Sequence, residues 1–269
     1  MRLNEKELLV VSFGTTSAES RSLNIGAVEH AIRTVIPDSY CVLRCFTSQT
    51  IINIINKRES LRIDNITEAI ERAVQNGIRI LVVQPTHLMK GFEYDKLCRI
   101  LSDYKDSFEK TAVGDPLLTS EEDFLRVADA LIDASCVYDD GSTAFVFMGH
   151  GTEAAANGIY EKMQSIFTGK GKSNYYVGTV EAEPSLDDVI SEVREGNYKR
   201  IVLRPLMLVA GNHAVNDMAS QDDSESWFSR FRDAGYEVEC IIEGLGQLPA
   251  VRDIYADHAL NVIAGISDN

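Results

Sequence analysis

The chain has 269 residues, enough for one large or two smaller domains, and its 45% hydrophobic and 25% charged residues are ordinary for a globular protein. Forty-one acidic residues against 26 basic ones give a formal charge of −15, which speaks against nucleic acid or an anionic membrane as partner and favours cations. No run approaches the roughly 18 apolar residues of a membrane span. The N-terminus MRLNEKELLVVSFG carries no leader-like apolar region, so a cytoplasmic setting is expected.

Leu8 to Phe13 is an apolar run closed by Gly14, the pattern of a strand buried on both faces. Ile25, Val28, Ile32 and Val35 then predict a helix over 20–36, followed by a strand over 40–46. A helix over 65–76 comes next, with Ile66, Ala69, Ile70 and Ala73 on one face. Strands over 78–83 and 111–114 and a helix over 121–134 complete the first half. This alternation means a parallel sheet covered by helices.

VYDDGS at 137–142 reads as a linker, and the plan then repeats. FVFMGHGT matches LLVVSFGT, with His150-Gly151 standing where the first copy has Phe13-Gly14. At an offset of 120 residues, Pro85 falls on Pro205, Gly91 on Gly211 and Glu93 on His213. ADAL at Ala128 and ADHAL at Ala256 fall in corresponding closing helices. The expected architecture is α/β: two similar lobes, 1–137 and 142–269, each a roughly four-stranded parallel sheet flanked by helices. Ligands of such sheets bind beyond the carboxyl ends of the strands, here in a cleft between the lobes.

Three second-lobe strands are followed there by residues able to carry chemistry. His150 follows FVFMG, Glu181 follows YYVGTV, and His213 follows RIVLRPLMLVAGN; the intervals are 31 and 32 residues, about one βα unit each. Two imidazoles and a carboxylate suit a borderline divalent metal, and imidazole also accepts protons near neutral pH. The glycines flanking His150 permit close approach of a ligand. Asp217, one turn beyond His213, is placed to orient it.

Other polar residues have plainer readings. His30 and His258 fall within predicted helices, and His87 aligns with Met207, which favours packing. Glu93 is either a helix N-terminal acid or a group facing the cleft. Gly14-Thr15-Thr16-Ser17 and Thr47-Ser48 are either anion donors or helix caps. SQDDSES at 220–226 reads as a solvated loop. The five cysteines are scattered without a C-x-x-C, so they suggest buried thiols rather than a disulfide framework or zinc ribbon.

MGHGTE, GTVEAEPSLDDV, PLMLVAGNHAVNDMAS and GLGQLPAVRDIYADH resemble the anaerobic sirohydrochlorin cobaltochelatases of cobalamin synthesis. That family belongs to the type II chelatases, with flavodoxin-like lobes related in fold to protoporphyrin ferrochelatase. SFGTTS and HLMKGFEYDKL extend the resemblance along nearly the whole chain. It implies ATP-independent insertion of Co2+ into sirohydrochlorin with release of two pyrrole protons. It also implies metal binding by His150, Glu181 and His213, with His150 or His213 as proton acceptor. Co2+ is then a substrate, Fe2+ or Ni2+ are alternatives in vitro, and no organic cofactor is expected. The substrate's carboxylates oppose the global charge, so local donors are expected to hold them, Ser12, Thr15 and Ser48; Glu93 is a further candidate for substrate binding. The expected partners are a tetrapyrrole and a divalent metal, with self-association left open. Alternative readings are a sirohydrochlorin ferrochelatase serving sirohaem and a non-catalytic metal- or tetrapyrrole-binding protein. A nucleotide binder is disfavoured because neither G-x-G-x-x-G nor a P-loop occurs.

Overall fold

The computed structural model describes residues 5–59 and 61–267; residues 1–4, part of the N-terminal stretch expected to lack a leader, lie outside the described residues. The apolar runs form two four-stranded sheets of identical plan. In the first, β1 (Lys6–Ser12) lies between β2 (Tyr40–Phe46) and β3 (Ile80–Pro85), and β4 (Lys110–Val113) pairs with β3. In the second, β5 (Thr143–Gly149) lies between β6 (Tyr175–Thr179) and β7 (Arg200–Pro205), with β8 (Glu237–Cys240) outside β7. Every pairing is parallel. The registers coincide as well: Val11 stands opposite Pro85, and Met148 stands opposite Pro205.

Burial on both faces explains the unbroken apolar runs. Leu8, Leu9, Val10 and Val11 are fully buried, as are Phe145, Val146, Phe147 and Met148. Leu9, Val11, Leu81 and Val83 pack with Ile66, Ala69, Ile70, Ala73 and Leu97 on one face of the first sheet. The helix Ile66–Gln75 that supplies part of this layer opens with a capping box, Asn65 and Glu68 each bonding the other's backbone N–H.

Details differ from the sequence reading. β1 begins earlier and β3 later than the hydrophobic runs suggest, because the ladder partners of the ends fix the strands. Two helices whose extent the apolar periodicity does not mark, Gln49–Glu59 and Phe92–Asp103, begin beside Thr47-Ser48 and Glu93, where a helix cap and a helix N-terminal acid are among the readings. The first buries only Ile52 and Ile55 and so lacks a long apolar stripe. The helix expected over 20–36 is a composite of Ala18–Ser20, a π-helical turn Arg21–Gly26, and Ala27–Val35. Of the five cysteines, only Cys45 is buried; Cys136 is exposed and the others are intermediate.

The division into lobes also needs correction. One compact unit comprises Met1–Thr119 with Arg252–Asn269, and the other comprises Ser120–Val251. The helix Glu121–Ser135, expected to close the first lobe, belongs to the second unit, where Glu121 and Asp129 pair with Lys162 and Lys170 at 2.8 and 2.7 Å. The helix Pro249–Ser267 starts in the second unit and continues in the first. There the Tyr255 hydroxyl donates to the Thr86 carbonyl (2.8 Å), and the Lys110 ammonium donates to that of Ile266 (2.9 Å). Sequence similarity marked these helices as counterparts, but it carries no information about which sheet each covers. Among the described residues, no helix is long and apolar enough to cross a membrane.

Candidate metal centre

The turn after β5 is shaped by its glycines. A Cβ on Gly149 would lie 2.1 Å from Cε1 of the buried Tyr160. Gly151 has φ +87°, and a Cβ there would stand 2.8 Å from the Ala182 nitrogen. The Gly151 N–H donates to the Tyr160 hydroxyl at 3.3 Å. His150 is thus the one side chain that this turn leaves room to project. Both neighbours must be glycine for reasons of space, and the second also for conformation.

Glu181 is set beside it by the continuing ladder. The Val180 N–H donates to the Gly149 carbonyl at 3.1 Å, and the Glu181 N–H to the His150 carbonyl at 2.9 Å. The following loop closes on Thr179, whose N–H donates to the Pro184 carbonyl at 2.7 Å. Asn157 steadies the loop further by donating to the Glu183 carbonyl, also at 2.7 Å. His213 opens a π-helical turn, His213–Met218, anchored by the fully buried Ala214 and Met218. Turns of this kind concentrate at functional sites. The His213 Nδ1 lies 2.7 Å from Asp217 Oδ2.

The three expected residues converge. A donor atom from each of His150, Glu181 and His213 lies within 4.8 Å of the other two. The His150 Nδ1 is 3.4 Å from Glu181 Oε2, and the imidazole centroids are 4.5 Å apart at 74°. The side chains of His150, Glu181 and His213 are 46%, 55% and 36% exposed, so a hydrated ion can reach them. Three protein donors with an open side are the arrangement of a site that handles metal rather than one that is closed around it.

The molecule's relatives match this picture. A family model described as cobalt chelatase (CbiK) matches residues 6–264. The sirohydrochlorin cobaltochelatase of Salmonella typhimurium is 35% identical over 261 residues, covering 96% of this chain and 97% of that protein.

The chain belongs to the cobalt chelatase family.

A second family relative, the sirohydrochlorin cobaltochelatase CbiKC of Nitratidesulfovibrio vulgaris, is 28% identical over 271 residues, covering 99% and 93% of the two chains. The fold is also that of SirB from Bacillus subtilis, solved with Fe3+: TM-score 0.64, 15% identity, 98% of each chain covered.

The other candidates belong to the unit carrying the first sheet. Two of them, Ser12 and Thr15, are buried and hydrogen-bonded within the protein. Ser12 is fully buried, its hydroxyl accepting from that of Thr86 at 2.7 Å. Thr15 is buried too, and its hydroxyl accepts from the Ser17 N–H at 3.3 Å. Ser48 accepts from the Ile51 N–H at 3.5 Å and so caps the helix Gln49–Glu59. Glu93 stands in the first turn of the helix Phe92–Asp103 and lines a cavity of about 180 Å³ with Thr47, Asn65 and Lys96. One of its carboxylate oxygens is buried without a hydrogen-bond partner. His87 packs with both ring nitrogens buried; desolvation lowers its pKa to about 4, against the opposing pull of Glu93.

Sequence reasoning missed the groups that hold the centre in place: Tyr160, Thr179 and Asn157. Nothing in their spacing marks them, because each acts through a backbone atom: Tyr160 through Gly151, Asn157 through Glu183 and Thr179 through Pro184.

Proposed function

We propose that the chain inserts Co2+ into sirohydrochlorin without ATP, releasing two pyrrole protons. The observation that carries this reading is the convergence of His150, Glu181 and His213 on one open site. In this scheme the triad strips water from the ion and presents it to the tetrapyrrole nitrogens. Each inward pyrrole N–H loses its proton as its nitrogen binds the metal, and an imidazole, His150 or His213, accepts it. Neutral imidazole suits both tasks, since its lone pair ligates the ion or takes a proton. The acidic surface draws the cation towards the protein, while Ser48 and Glu93 are proposed to help position the substrate.

Multiple-turnover spectroscopy of sirohydrochlorin with Co2+ tests the proposal. The expected result is repeated metallation by the unaltered chain. His150→Ala and His213→Ala should each slow it by about 10²–10⁴-fold, the range of a lost acid–base or ligand group. Stoichiometric binding without turnover would instead support a carrier protein. Initial rates with Co2+, Fe2+ and Ni2+ test the choice of metal, because this donor set accepts all three. The reaction is proposed to run in the cytoplasm, where five free thiols suit a reducing environment; cell fractionation checks this.

A further inference from the structure

The two histidines of the centre are held differently. His150 has its Nδ1 at 3.1 Å from the Gly151 carbonyl and 3.4 Å from Glu181, a group proposed to leave it for the metal. His213 instead has a carboxylate of its own, with Asp217 Oδ2 2.7 Å from Nδ1. A carboxylate oxygen accepts hydrogen bonds, so this contact favours the His213 tautomer with its N–H on Nδ1 and leaves Nε2 as the atom for a ligand. The ring is thereby held in both tautomer and plane.

Nothing in the fold requires an acid at this position. Asp217 is 43% exposed, and His213 is its one side-chain partner among the described residues. At the repeat offset its counterpart in the first sheet's unit is Leu97, a buried core residue. The His213–Asp217 pair stands at the proposed metal triad, and the corresponding position of the other unit carries no acid.

Building on the metal-centre reading above, we propose that Asp217 is a positioning residue that fixes His213 for capture of the divalent cation. It raises Co2+ affinity, and it acts through His213. Its loss weakens metal binding without disturbing the fold or the hold on the tetrapyrrole.

The test titrates Co2+ into the full-length chain by calorimetry, in the absence of tetrapyrrole. The proteins compared are the unaltered chain, Asp217→Ala, His213→Ala and the double variant. Asp217→Ala is expected to weaken Co2+ binding by about 10–100-fold, the usual cost of removing a partner of a ligating histidine. In the His213→Ala background the same change should have no further effect. In steady-state assays Asp217→Ala should raise the KM for Co2+ and leave that for sirohydrochlorin unchanged, with an unaltered thermal midpoint. Wild-type Co2+ affinity in Asp217→Ala, alongside weakened binding in His213→Ala, overturns the proposal and leaves the metal centre standing. A full effect of Asp217→Ala in the His213→Ala background also overturns it, since the acid would then act as a general cation attractor. If His213→Ala binds Co2+ normally, the metal centre and this proposal fall together.

Discussion

The carboxyl edges of the two sheets are built alike and equipped differently. At the first, the Thr47 and Ser48 N–H groups donate to the carbonyls of Ser12 and Phe13 at 2.9 and 3.2 Å. At the second, Val180 and Glu181 make the same bonds to Gly149 and His150. Both turns end on a glycine of positive φ, Gly14 at +102° and Gly151 at +87°. Phe13, Ser48 and Glu93 therefore occupy the places of His150, Glu181 and His213. The backbone frame of the proposed metal site exists twice, and the proposed ligands exist once. The scaffold supplies position, while three side chains are proposed to supply the chemistry.

Exchanging those residues should break the contrast most severely. His150→Phe, Glu181→Ser and His213→Glu together give the second edge the first edge's residues. Metallation should then fall by at least about 10²-fold, with Co2+ binding lost in calorimetry and the circular dichroism spectrum retained. The glycines come next. Gly151→Ala forces a side chain into the left-handed region and against the Ala182 nitrogen, costing about 1–3 kcal/mol in urea unfolding. It should also weaken Co2+ binding, because the Ala182 nitrogen it crowds is next to Glu181. Gly14→Ala meets the Phe46 ring at 2.7 Å and should destabilise the chain similarly while leaving Co2+ affinity unchanged.

The smallest expected effect concerns His87, whose counterpart in the other unit is Met207. Burial lowers its pKa to about 4 in the folded chain, against roughly 6.5 when unfolded. The unfolded state therefore binds more protons between these values. Stability is full above about pH 6.5 and declines as pH falls towards 4. His87→Met should remove this part of the acid sensitivity, a difference on the order of 1–2 kcal/mol at pH 5. Urea unfolding of both proteins at pH 5 and pH 8 measures it.

The triad was legible in the sequence because its members end repeated strand runs, and parallel topology sends all such ends to one edge. Asp217 was legible from its i+4 position after His213. The burial of Ser12 was hidden for a physical reason: a strand buried on both faces has no polar alternation, so the pattern does not tell whether its hydroxyl is enclosed. The need for Gly149 was hidden too, since the ring that fills the space belongs to Tyr160 on a later helix. The placement of the closing helices lay beyond pattern altogether, because the ADAL and ADHAL segments are equally suited to either sheet.

The path of the final helix, Pro249–Ser267, has a consequence for synthesis. The unit that contains the start of the chain also draws on residues from Arg252 onward, including the buried Ile254, Tyr255 and Ala259. Domains commonly fold in the order in which the ribosome makes them. Here the order is inverted: the unit of the second sheet has all its segments made before the first sheet receives the helix residues from Arg252 onward.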